Sequence, residues 1–252
     1  MKIAIVTGAS SGLGREFVRQ VEHLYKELDE IWVIARRRER LEELKSRITT
    51  KVRIVEGDLL TNETYEELEQ LLGEKQPNIR MLVNAAGFGK NGNVTEIPFG
   101  EQLDMIDLNC KALTHMTTLC IPYMKKGSRI VNVASAAAFC PQPGFGVYAA
   151  TKSYVLSFSR SLGTELSDDG IFVTCVCPGP VDTEFFEVAG QRKENAMKDA
   201  VTVKATDVVK QALLDARDGK ELSVYGVPMK CTKAATKVLP HSLILKAMKR
   251  FW

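Results

Sequence analysis

Tyr148 and Lys152 stand four residues apart in "YAATK", within a stretch otherwise made of Ala, Ser, Thr and Leu. On a helix, positions i and i+4 share a face and side chains lean toward the N-terminus, which tips the ammonium back toward the phenol ring. A free phenol, with a pKa of about 10, is a poor proton shuttle at neutral pH. An ammonium about 4 Å away, at an effective dielectric of about 20, favours phenolate by roughly 4 kcal/mol and would bring that pKa to about 7. Such a pair is a general acid and base in the making. Taken alone, it is equally an ordinary core tyrosine beside a solvated lysine, so the rest of the chain has to decide.

The elements that must position the pair are legible as short β-branched runs, "IAIVTG", "IWVIA", "VRIVEG", "RMLVNAA", "RIVNVAS", "IFVTCVCPG" and "ELSVYG". Between them lie segments with apolar spacing of three and four, such as "EFVRQVEHLYKEL". Strand and helix in alternation predict an α/β fold of three layers: a Rossmann-type, doubly wound parallel sheet of seven strands with helices on both faces. In such sheets ligands bind at the carboxyl ends of the strands. Functional residues are therefore sought just after strands.

The first strand runs into "TGASSGLG", with Gly8, Gly12 and Gly14, and then a helix. Residues without Cβ let the chain turn tightly and approach a pyrophosphate held at the helix N-terminus, which predicts a dinucleotide site. The second strand ends in "VIARRRER", where an acid would take a ribose hydroxyl and an arginine would accommodate a 2′-phosphate. Arg36, Arg37 and Arg38 stand there, and cations at a helix start oppose its dipole by about 0.3 to 1 kcal/mol each. Helix stability does not explain them; a bound phosphate does, which predicts NADP(H) over NAD(H). After the third strand, Asp58 is placed to accept from an adenine amino group, and after the fourth, "NAAG" (Asn84 to Gly87) lets a cofactor lie against the backbone.

Several classes of function are excluded by composition. The chain has 252 residues, 45% hydrophobic and 26% charged, with a net charge of +3. That charge is small and scattered, which argues against nucleic acid. The apolar run beginning almost at Met1 leaves no room for a charged leader and apolar signal segment, so a cytoplasmic location is expected, and no apolar run approaches membrane-spanning length. Six cysteines lack CxxC spacing, and the histidines are scattered at 23, 115 and 241. Cys175 and Cys177 share one face of a strand, yet no third or fourth ligand is suggested, so no metal is expected.

Together "TGASSGLG", "NAAG", Asn109, Ser135, Tyr148, Lys152 and "PGPVDT" resemble the classical short-chain dehydrogenases/reductases, in order from about residue 3 to residue 183. The resemblance implies that Tyr148 is the acid in ketone reduction and the base in alcohol oxidation, and that Ser135 hydrogen-bonds the substrate oxygen. It implies that Lys152 lowers the Tyr148 pKa and binds nicotinamide ribose, and that Asn109 helps hold a proton-resupplying water chain. Pro178, Gly179, Val181 and Thr183 would wrap the nicotinamide. Gly8, Ser10, Ser11, Gly12, Leu13, Gly14, Arg36, Arg37, Asp58, Leu59, Asn84, Ala85 and Gly87 would form the rest of the cofactor site, with Tyr148 and Lys152. The implied activity is an NADP(H)-dependent interconversion of carbonyl and alcohol. Alternatives are a 3-oxoacyl thioester reductase and a non-catalytic NADP(H)-sensing regulatory protein.

Two features depart from the family pattern. Ala85 stands where a second Asn is frequent, and the chain lacks the short Gly-rich close of acyl-carrier-protein ketoreductases. Residues 1–228 read as one domain. Within it, about 183–203 reads as a mobile lid over the substrate, with Phe185 and Phe186 as apolar contacts; Phe139, Phe145 and Val147 are further candidates for an apolar pocket. Residues 229–252 read as a basic amphipathic tail, broken or started by Pro240, packed on the domain or a partner subunit, with surface association with a membrane as the alternative. These features favour a lipophilic ketone or secondary alcohol. The family resemblance also implies a homodimer or homotetramer built on helices near residues 100–124 and 147–167.

Overall fold

Each of the seven β-branched runs forms a strand, and two short strands lie outside them. In the computed structural model, which describes residues 1–190 and 202–249, these are β1 (Lys2–Thr7), β2 (Glu30–Ala35), β3 (Lys51–Glu56), β4 (Asn78–Asn84), β5 (Met124–Val133), β6 (Phe172–Val176), β7 (Val181–Asp182), β8 (Val203–Lys204) and β9 (Leu222–Ser223). Seven of them make one parallel sheet in the order β3-β2-β1-β4-β5-β6-β9, reversing direction of travel between β1 and β4. The helices are α1 (Gly12–Leu24), α2 (Arg38–Lys45), α3 (Asn62–Lys75), α4 (Phe99–Ile106), α5 (Leu113–Cys120), α6 (Gly146–Glu165), α7 (Phe185–Val188), α8 (Ala205–Arg217), α9 (Val227–Val238) and α10 (His241–Lys249).

The period of two along each strand divides the core. Ala4, Val6, Val33, Val83 and Val131 face one side and pack against Phe17, Val18 and Val21 of α1 and Val209 and Leu213 of α8. Ile3, Ile5, Trp32, Ile34, Leu82 and Ile130 face the other, against Leu68 and Leu72 of α3, Met116 and Cys120 of α5, and Leu162 of α6. Burial on both faces is why the strands read as nearly continuous apolar runs.

At the amino end of β2, Glu30 is buried between neighbouring strands. The parallel register sets Lys51 and Arg53 beside it. Its carboxylate accepts from Lys51 Nζ at 2.6 Å, Trp32 Nε1 at 2.9 Å and Arg53 Nε at 3.1 Å. Burial pushes this carboxyl up, and the three donors more than offset that, holding it at about 2.

Two regions depart from the simple rhythm. β7 and β8 pair as a separate two-stranded ribbon next to the segment read as a lid, of which residues 191–201 lie outside the described residues. The tail forms α9 and α10, broken at Leu239 and Pro240 as the proline predicts, while Arg250, Phe251 and Trp252 lie outside the described residues. No helix among the described residues is long and apolar enough to cross a membrane.

Candidate active site

The glycine turn after β1 is a piece of close main-chain packing. Gly8 has φ of +67°, and a Cβ there would lie 2.8 Å from the Ala86 backbone; one at Gly14 would overlap the carbonyl of Gly8. Thr7, the last residue of β1, holds the facing loop by accepting from the backbone N–H groups of Ala85 and Ala86 at 3.1 and 3.2 Å. α1 begins with no side-chain cap and no acid in its first turn. Its first N–H groups are thus left for an anion.

The arginines after β2 rim the same opening. Arg36 is exposed and lies 3.4 Å from Asp58 Oδ2. Arg37 donates to Ser10 Oγ from Nε at 3.3 Å and Nη2 at 3.1 Å, and from Nη1 to Glu184 Oε2 at 3.2 Å. Arg40 Nη1 meets the same Glu184 carboxylate at 2.6 Å, and these donors, Arg40 first, hold its carboxyl below the usual carboxylate range. Arg38, by contrast, turns to Glu42 and Glu56, both near 3.5 Å or less.

Tyr148 and Lys152 lie on α6, as the i,i+4 spacing predicts, and both are buried. The Lys152 Nζ stands 5.7 Å from the centre of the Tyr148 ring and donates to the Val133 carbonyl at 2.9 Å. The expected phenol pKa of about 7 is corrected here. Burial pushes Tyr148 up to about 12, opposed by a hydrogen bond with the Ser135 hydroxyl, and burial pushes Lys152 down to about 8. Sequence spacing gave the proximity but not the desolvation, which is the larger effect. Ser135 follows β5 and caps the short turn Ala136–Phe139 by accepting from Ala137 N at 3.1 Å. Phe145 stacks on Tyr148 at 4.2 Å between ring centres, and Phe185 of α7 tilts against it at 5.5 Å.

Four predicted residues, Asn109, Asn84, Phe139 and Val147, are absent from the cleft's lining; Val147 packs against the cluster of Met105, Ala137, Tyr148 and Ala149. Asn109 sits in a π-helical turn, Asp107–Ala112, between α4 and α5. It grips Phe88 at both main-chain groups, accepting from N at 3.1 Å and donating to O at 2.9 Å, and also donates to Thr151 Oγ1 at 3.0 Å. Its first role in the fold is to fix the loop after β4; its Oδ1 also lies within 2.7 Å of where a Gly87 Cβ would be. Asn84 donates instead to Thr117 Oγ1 at 3.0 Å and Asn132 Oδ1 at 2.9 Å, tying β4 to α5 and β5. Phe139 packs against the buried cluster that includes Leu113, Ala134 and Val155, and borders a second, smaller cavity with α10.

The remaining predicted residues converge on a cleft of about 760 Å³. Gly8, Ser10, Ser11, Gly12, Leu13, Gly14, Arg36, Arg37, Asp58 and Leu59 line one half. Ala85, Gly87, Ser135, Phe145, Tyr148, Lys152, Pro178, Gly179, Val181, Thr183 and Phe185 line the other. The donor set and the bare glycine cradle fit a nicotinamide dinucleotide, its phosphates at the α1 terminus. Among the described residues no group of three or more His, Cys, Asp or Glu could hold a metal ion.

The sequence pattern of the family described as short chain dehydrogenase matches residues 2–194. The chain belongs to the short-chain dehydrogenase family. Within that family it is 34% identical over 194 residues to the NADP-dependent 3-hydroxy acid dehydrogenase YdfG of Escherichia coli, covering 74% of this chain and 75% of that protein. A short-chain dehydrogenase of Sphingobium yanoikuyae, solved with NADPH, is 25% identical and superposes with a TM-score of 0.78 over 94% of each chain. One from Burkholderia phymatum, solved with NAD, shares the fold at 20% identity and a TM-score of 0.80, over 97% of this chain and 95% of that one. The protein is therefore an oxidoreductase using a nicotinamide cofactor.

The cleft of this short-chain dehydrogenase is also shaped by residues that sequence reasoning passed over. Thr7 was visible as a polar residue ending a buried strand. Gly89 lies so close to Tyr148 that a Cβ would come within 2.7 Å of the ring. Met229 and Thr232, from the tail, line the cleft. The Arg40 and Glu184 pair spans 144 positions and had no local signal.

Proposed function

We propose that the protein is an NADP(H)-dependent reductase or dehydrogenase that interconverts a lipophilic ketone and a secondary alcohol. The observation that carries this is the meeting of Tyr148, Ser135 and Lys152 in one cleft with the glycine turn. A bound nicotinamide supplies the hydride in reduction and takes it back in oxidation. As negative charge develops on the carbonyl oxygen, Tyr148 gives its phenolic proton to that oxygen and Ser135 donates a second hydrogen bond. With its pKa pushed up to about 12, the phenol stays protonated at neutral pH, ready to act as the acid. Lys152, cationic below about 8, offsets the phenolate left behind. In oxidation the same groups run in reverse, and the base is the Tyr148 phenolate, so oxidation is expected to gain as pH rises.

Arg36 and Arg37 at the rim support NADP(H), because β2 ends without an acid to take a ribose hydroxyl. Phe88, Phe145 and Phe185 around Tyr148, with Phe186 against Phe185 in the cleft's lining, support an apolar substrate. The test is a panel of ketones and alcohols followed by NADPH absorbance. Consumption of NADPH with apolar ketones is the expected result; tight NADPH binding with no turnover across the panel would instead favour a regulatory protein.

A further inference from the structure

The 31 residues from Leu222 onward hold six cations, Lys230, Lys233, Lys237, Lys246, Lys249 and Arg250, and no Asp or Glu. Since the whole chain is only +3, the remainder is net acidic and the positive charge is gathered at this end. The same segment leaves apolar side chains uncovered. On α9, Val227, Ala234 and Val238 recur at intervals of seven and four, which places them on one stripe. Val227 is 72% exposed and Val238 81%. Leu239 and Leu243 continue the apolar surface toward α10 at 43% and 54%. Lys230 and Lys237, also seven apart, run beside the stripe. The inward face of α9 is different: Met229 packs where a Cβ on Gly179 would lie 2.6 Å from its sulfur.

The geometry points to this surface docking on an anionic lipid bilayer, with the lysines against lipid phosphates and Val227, Val238, Leu239 and Leu243 entering the acyl boundary. An exposed apolar stripe flanked by cations is the pattern that lies in a membrane interface. Charge selects this occupant over a second copy of the chain. Two copies meeting through the stripe would set lysines against lysines, with no acid in the segment to pair them. The docking stands apart from the catalytic reading, since neither the stripe nor its lysines touch Tyr148, Ser135 or Lys152. α9 nevertheless lies between the stripe and the cleft, so a docked protein keeps the wall of its cleft beside the lipid surface.

The test is flotation of the full chain with phosphatidylcholine vesicles, with and without phosphatidylglycerol. Binding only to the anionic vesicles, lost at high salt, is expected. The triple variant Lys230→Gln, Lys237→Gln, Lys246→Gln should lower that partitioning on the order of a hundredfold. Val238→Asp with Leu243→Asp should abolish it while leaving the melting temperature and circular dichroism unchanged. Equal binding to neutral vesicles, no binding to either, or variants that bind like the wild type would each overturn the proposal. So would a mass that falls in sedimentation velocity for Val238→Asp with Leu243→Asp while wild type fails to float, because a second copy then covers the stripe.

Discussion

The two ends of the sheet treat buried charge in opposite ways. At the amino end of β2, Glu30 is enclosed but surrounded by Lys51, Trp32 and Arg53, and its carboxyl is held at about 2. At the carboxyl ends, Lys152 is as deeply buried, and its hydrogen bond goes to the neutral carbonyl of Val133. Burial then wins and pushes it down to about 8. Desolvation acts on both groups; the number of paired donors or acceptors decides the sign of the outcome. The amino end is built for stability. The carboxyl end keeps an uncompensated ammonium beside a phenol, which is unfavourable for folding and serves proton transfer in the mechanism proposed above.

The largest stability effect is expected where the carboxyl end is packed most closely. Gly14→Ala drives a methyl into the carbonyls of Gly8 and Thr7. Chemical denaturation should show a loss of about 3 kcal/mol or more, and calorimetry should show no NADPH binding by the fraction still folded. Native stability and binding would show that the glycine turn is not constrained by its own backbone.

Glu30→Gln breaks the amino end, and a loss of about 2 kcal/mol at neutral pH is expected. The folded pKa lies below the unfolded value of 4.5, so this stability is present above about 4.5 and disappears as pH falls through about 2. Denaturation from pH 7 to pH 3 should therefore narrow the gap between variant and wild type, which closes only near pH 2, with turnover per folded molecule unchanged.

Lys152→Met sharpens the contrast from the other side. The folded lysine pKa, about 8, lies below the ordinary 10.5. The unfolded chain binds the proton more readily between those values, so wild-type stability rises with pH across that window. The variant should be more stable by about 2 kcal/mol at neutral pH, after discounting for the lost Val133 bond, and the gain should shrink toward pH 10. It should also be inactive. A destabilised variant would mean that Lys152 belongs with Glu30, as a stabilising charge.

The smallest effect concerns the rim. Arg36→Asp should lower the NADPH to NADH preference roughly tenfold in kcat/KM, because Arg36 is exposed and shared with Asp58. An unchanged ratio would remove Arg36 from 2′-phosphate recognition.

How much of this was legible in the sequence follows the range of the interactions. The strands and the glycine turn were readable because burial and tight turns act over a few neighbouring residues. Tyr148 and Lys152 were readable because helical spacing alone sets their shared face. Asn84 and Phe139 were assigned to the site from position after a strand or near Ser135, yet Asn84 bonds Thr117 and Asn132, and Phe139 packs against the buried cluster of Leu113, Ala134 and Val155. A strand end says which loop a residue joins, not which way its side chain turns. The phenol pKa failed for a related reason, since desolvation is a property of everything packed around the ring, including Phe145 and Phe185. The Glu184 bridge to Arg37 and Arg40 is set only when the segment after β7 folds across to the start of α2.

The central claim is that Tyr148 is the proton donor of the cleft, and Tyr148→Phe tests it most directly, because it removes the hydroxyl while keeping the ring between Phe145 and Phe185. With a ketone that the wild type reduces, NADPH oxidation by the variant should fall by about a thousandfold or more, while NADPH binding measured by fluorescence stays within about twofold. Turnover close to wild type in the presence of unchanged binding would contradict the account.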